Sequence, residues 1–118
     1  MCKYSEGDVV YALVMFGDRQ GAKPRPCVVL SVDTDCKYLL AECYSLLEKH
    51  SNLASHNVIK TIKEGTQEFF ECGFTNDTVV TKSRIRLSER FLKAPEGKTN
   101  PIGFCSFLAL IKNVLGLS

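Results

Sequence analysis

Lys23-Pro24-Arg25-Pro26-Cys27-Val28-Val29-Leu30-Ser31 changes character in its middle. Up to Pro26 it is polar and proline-flanked; from Cys27 it is apolar and β-branched. Such residues fit a pleated, buried surface, so residues 27–32 are expected as a strand buried on both faces. The prolines fix φ and remove donors, which puts residues 23–26 at the end of a polar loop opened by Gly17. Upstream, Gly7-Asp8 leads into Val9-Val10-Tyr11-Ala12-Leu13-Val14-Met15-Phe16, a first buried strand. Downstream, Asp33-Thr34-Asp35 turns the chain into a third strand over residues 37–47. Strand periodicity then places Leu39, Ala41, Cys43, Ser45 and Leu47 on one face, and Leu40, Glu42, Tyr44 and Leu46 on the other.

Further along, residues 48–56 read as a polar loop and residues 58–62 as a weakly alternating strand. Gly65 breaks it, Glu68-Phe69-Phe70-Glu71-Cys72 follows, and Gly73 with Asn76-Asp77 marks another turn. Residues 78–81 and 85–87 are expected as short strands joined by the basic link Lys82-Ser83-Arg84, with a short helix near residues 88–92. Asn100-Pro101 supplies an N-cap and a proline at the first helical position. Phe104, Phe107, Leu108, Ile111, Val114 and Leu115 recur at helical spacing, and Gly116 supplies a stop. Short strands followed by a C-terminal helix predict a mainly β (α+β) fold, a small, partly closed antiparallel barrel with the helix packed on it. No repeat or linker divides residues 1–118, which read as a single domain.

The chain has 118 residues, 45% hydrophobic and 24% charged, a balance that excludes disorder and supports a core without disulfide staples. A net charge of +2 excludes bulk electrostatic binding of polyanions, so a phosphate-binding surface requires local clustering of Lys and Arg. Six cysteines occur without a Cys-x-x-Cys pair, several of them inside apolar runs. With no charged segment leading into an apolar one at the start, they are read as reduced thiols in a cytoplasmic protein. No apolar run approaches the ~20 residues of a membrane span.

The Gly7-Asp8-Val9-Val10 strand, the glycine-containing loop and the Arg25-Pro26-Cys27-Val28-Val29-Leu30-Ser31 strand together resemble the MazF/PemK family of toxin endoribonucleases. The segment Leu110-Ile111-Lys112-Asn113-Val114-Leu115-Gly116 is similar to that family's closing helix. The resemblance covers about the first third of the chain, and beyond it rests on the rhythm of strands. It implies an SH3-like barrel, a homodimer, a type II toxin–antitoxin system with a cognate antitoxin, and metal-independent cleavage of single-stranded RNA such as mRNA. The implied reaction is attack by the ribose 2′-OH on the adjacent phosphate.

That chemistry needs a base, an acid and a cation for the dianionic phosphorane. Arginine's planar fork suits phosphate, and the family's loop arginine maps onto Arg25. Its hydroxyl residue at the end of the third strand maps onto Ser45, with Tyr44 as the neighbouring choice. His50, after that strand, has a side-chain pKa suited to a base. Arg19, Lys23, Tyr44, Lys82, Ser83 and Arg84 are the expected RNA contacts; Arg86, Arg90 and Lys93 add further charge. Thr81-Lys82-Ser83-Arg84 stands where some relatives carry an Arg-x-Asp pair, and no aspartate occupies the matching position. That departure motivates the alternative of a non-catalytic SH3-like module binding nucleic acid or protein. His50, His56 and Cys43 fit no compact zinc pattern, so neither metal nor cofactor is expected. Cys27 is expected to pack in the core rather than to act as a nucleophile.

Overall fold

Valine-rich stretches separated by polar turns build a curled antiparallel sheet in the computed structural model, which describes residues 2–15, 22–45, 57–93 and 101–117. The elements are β1 (Asp8–Met15), β2 (Ala22–Val32), β3 (Lys37–Ser45), β4 (Val58–Ile62), α1 (Gln67–Cys72), β5 (Thr78–Ser88), a 3₁₀ turn (Glu89–Phe91), β6 (Leu92–Lys93), β7 (Gly103–Phe104) and α2 (Leu108–Val114). The strand order is β4-β5-β3-β2-β1-β6, with β7 also on β1. The sheet forms a half-barrel, so the fold is mainly β with a C-terminal helix, as the pattern of strands predicts.

Three local expectations are corrected, and one segment without an assigned element, the third below, acquires one. First, residues 23–26 belong to β2 and not to a loop: Leu13, Ala12 and Tyr11 of β1 stand opposite Pro24, Arg25 and Pro26. Proline accepts extended backbone and pushes its predecessor towards it, so Pro24 and Pro26 hold Arg25 in strand geometry. They cannot donate to a ladder, and the β2–β3 register ends at Cys27–Glu42 although both strands run on.

Second, residues 78–88 are one strand, with a bulge between the pairs Ala41–Arg84 and Cys43–Val80 absorbing the basic link. Third, residues 67–72 are helical. The Thr66 hydroxyl accepts from the Phe69 N–H, and Gly73 closes the helix in the left-handed conformation. Fourth, α2 starts at Leu108; Asn100 lies outside the described residues, and Gly103–Phe104 instead pair with Val9 and Asp8. The free edge of β1 captures this segment through Ile102 N–H to Val9 O (2.8 Å) and Cys105 N–H to Gly7 O (2.6 Å). Gly103 is required there, because a Cβ would lie 2.3 Å from the Glu71 carbonyl oxygen. Gly116 does end α2, with φ of 74° and Leu117 N–H donating to Lys112 O.

Alternation divides the apolar residues into two cores. Val9, Val28, Leu30, Ala41, Cys43 and Val80 pack with Phe69 and Cys72 of α1, Phe74, Cys105 and Ile111 of α2. Val10, Ala12, Cys27, Val29, Tyr38 and Leu40 pack on the other face with Tyr4 and Leu92. Each large aliphatic side chain so buried contributes about 1.5–3 kcal/mol. Val114, expected on the packed face of α2, is exposed.

The uniform reading of reduced thiols is also corrected. Cys2 and Cys36 form a disulfide with Cα atoms 5.3 Å apart, while Cys27, Cys43, Cys72 and Cys105 are free and buried. The turn after β2 explains the pairing. The Asp33 carboxylate accepts from the Asp35 and Lys37 N–H groups, and Cys36 takes φ of 56°. Tyr4 N–H donates to the Tyr38 hydroxyl, which lays the N-terminal segment along this hairpin. Among the described residues no helix is long and apolar enough to cross a membrane.

Candidate functional site

Strand register decides which polar side chains meet. Cys27 stands opposite Glu42, and continuing that register by two residues brings Arg25 opposite Tyr44 on the same face. The Arg25 guanidinium carbon lies 4.6 Å from the centroid of the Tyr44 ring, within cation–π range. On the far side, the bulge in β5 turns Ser83 towards Glu42. Ser83 Oγ (2.5 Å) and Tyr44 Oη (3.3 Å) both donate to Glu42 Oε2.

Thr81 fixes the bulge. Its buried hydroxyl donates to the Glu42 carbonyl oxygen at 2.9 Å and accepts the Ser83 N–H at 3.2 Å. A cation, a carboxylate and two hydroxyls therefore share one end of the second core. Arg25 is 3% exposed and Glu42 4%. Polar groups at that depth are costly unless hydrogen-bonded or paired, and the Glu42 carboxylate is hydrogen-bonded by the Ser83 and Tyr44 hydroxyls.

The surroundings set the protonation states. Desolvation, reinforced by the charge of Glu42 and opposed by Arg25, pushes the Tyr44 phenol up to about 12. Burial, again with Glu42, pushes the Cys27 thiol up to about 12. Both hold their protons at neutral pH. Tyr44 is thereby a donor, and Cys27 is a packed thiol with no nucleophilic character, in line with its place in the apolar strand.

Of the residues singled out from the sequence, Arg25, Tyr44 and Ser83 are brought together. Ser45 is not: it stands opposite Thr78, and alternation puts it with Cys43 on the other face of β3. Arg84 stands opposite Ala41, exposed on the face away from Arg25, and Lys82 is exposed within the bulge. Arg19 and His50 lie outside the described residues; Lys23 pairs with Val14 in the β1–β2 register, and its side chain lies outside the described part.

Glu42 and Thr81 were missed as site residues. Glu42 left a signal, being the one charge in the otherwise apolar stretch between Lys37 and Glu48. A carboxylate inside a buried strand is rarely tolerated without a partner. Thr81 left none, because its role depends on a bulge. No cluster of metal-ligating side chains occurs among the described residues. In comparisons with known proteins, no family model and no curated protein matches the chain.

Proposed function

We propose that this protein is a metal-independent endoribonuclease of the MazF/PemK toxin type, cleaving single-stranded RNA by 2′-OH attack on the adjacent phosphate. The observation that carries the reading is the convergence of Arg25, Glu42, Tyr44 and Ser83 at one end of the second core. In the reaction the 2′-oxygen bonds to phosphorus while the bond to the 5′-oxygen breaks. Glu42 accepts the 2′-OH proton, and the Tyr44 phenol, protonated at neutral pH, returns one to the leaving 5′-oxygen. Arg25 offsets the charge that builds on the phosphoryl oxygens. The same reading makes the protein a cytoplasmic homodimer restrained by a cognate antitoxin.

Incubating the purified protein with mixed RNA in EDTA tests the proposal. Wild type is expected to fragment the RNA and Arg25→Ala to leave it intact. RNA untouched by both proteins overturns it.

The burial of Arg25 and Glu42 favours a second reading, a non-catalytic module of the same fold in which the polar group is structural. That reading predicts harmless overexpression together with salt-sensitive nucleic-acid binding.

A further inference from the structure

Residues 2–5 lie across the end of the second core without joining the sheet. Three successive N–H groups hold them, and all three donate to side chains. Lys3 donates to Glu89 Oε1, Tyr4 to the Tyr38 hydroxyl at 3.1 Å and Ser5 to Asp8 Oδ2 at 2.8 Å. What this strap covers is apolar: Tyr4 is buried in the second core, its ring edge-to-face with Tyr38 and the centroids 5.8 Å apart. The Cys2–Cys36 disulfide is its covalent tie.

The two ends of that tie differ. Cys36 sits in a turn with its own hydrogen bonds: Asp33 N–H donates to Lys37 O, Cys36 N–H to Asp33 O, and the Asp33 carboxylate accepts from Asp35 and Lys37. None of these bonds involves the strap, so the turn presents Cys36 with the disulfide open or closed. Cys2 rides on the strap. The thiol chemistry is also confined to this pair. Cys2 and Cys36 are partly exposed, whereas Cys27, Cys43, Cys72 and Cys105 are free and fully buried. A soluble thiol reagent therefore meets one disulfide and no competing thiol.

We propose that the Cys2–Cys36 disulfide is a reversible redox latch, opened by dithiol reductants to release residues 2–5 and uncover the Tyr4 end of the second core. A thiolate of the reductant bonds to one latch sulfur, the S–S bond breaks, and the other cysteine leaves as a thiolate and takes up a proton. The reductant's second thiolate then attacks its own sulfur in the mixed disulfide, and the remaining cysteine leaves and is protonated. The protein disulfide has gained two electrons and two protons, and the dithiol has become a disulfide. Oxidised glutathione closes the latch by the reverse exchange. The first core contains no residue of the strap, and the second keeps Val10, Val29 and Leu40 from the strands, so opening stays local. The latch operates whether or not the chain cleaves RNA.

The test reduces the full chain with dithiothreitol under native conditions, alkylates it with iodoacetamide and locates the label by peptide mass spectrometry. Label is expected on Cys2 and Cys36 and not on the four buried thiols. The Lys3, Tyr4 and Ser5 amides are expected to exchange hydrogen about tenfold faster than in the oxidised protein, with Ile111 unchanged. Oxidised glutathione, added after the reductant is removed, is expected to restore the slow rates. Cys2→Ser/Cys36→Ser should exchange fast with or without dithiothreitol. A disulfide that resists reduction in the folded chain overturns the proposal. Labelling of all six cysteines overturns it as well, and makes the bond a staple of the whole fold. Reduction without faster exchange at Lys3–Ser5, or fast exchange that oxidised glutathione does not reverse, contradicts it equally.

Discussion

On the face of the sheet covered by the helices, Val9, Val28, Leu30, Ala41 and Cys43 meet Phe69 and Ile111 in an apolar core. On the opposite face the same strands, read one residue out of phase, begin with Val10, Val29, Tyr38 and Leu40 and end in Arg25, Glu42, Tyr44 and Ser83. The first face is closed by α1 and α2. The second is closed in part by Tyr4, on the N-terminal segment that the Cys2–Cys36 disulfide ties down. Stability thus resides where burial is uniform. Charged and polar side chains collect at the end of the second face, beside the point at which Pro24 and Pro26 end the β2–β3 ladder.

The difference can be broken most severely on the apolar side. Leu30→Ala leaves a cavity in the first core and is expected to cost ~2–5 kcal/mol in urea denaturation. The polar group on the other face should persist until global unfolding. The next effect is on the second face. Cys36→Ser opens the closure between residues 34 positions apart and is expected to lower stability by ~2–4 kcal/mol. Hydrogen exchange should then rise first around Tyr4 and Tyr38, with Ile111 unchanged.

The smallest effect sharpens the contrast through pH. Tyr44 and Cys27 hold their protons to about 12 when folded, against ordinary values of 10.0 and 9.0. Above pH 9 the unfolded chain therefore binds fewer protons than the folded one, and stability falls as pH rises towards 12. Tyr44→Phe removes the tyrosine's share, so its melting temperature is expected to decline less steeply between pH 10 and 12 than that of wild type.

Much of this arrangement is legible in the residues themselves. The period of two in β3 separates Leu39, Ala41 and Cys43 from Leu40, Glu42 and Tyr44 without any knowledge of partners. The spacing of Phe107, Leu108 and Ile111 marks α2, and Gly116 its end. What escapes is set by tertiary pairing. Prolines 24 and 26 carry the local signature of a loop, yet β1 supplies a strand for them to extend against. Phe104 continues the helical spacing of α2 but is taken by the edge of β1. The six residues of α1 are too short for a helical period to emerge. Nothing local brings Cys2 to Cys36, and the bulge that aims Ser83 at Glu42 is visible only once β3 and β5 are paired.

The most direct test of the central claim is end-group analysis of RNA fragments made in EDTA by wild type and by Glu42→Gln, a variant that keeps the shape of the carboxylate while removing its charge. Wild type is predicted to leave 2′,3′-cyclic phosphates and 5′-hydroxyls, and Glu42→Gln, still folded by thermal melting, to leave the RNA intact. Fragments bearing 5′-phosphates, or cleavage undiminished in Glu42→Gln, would contradict it.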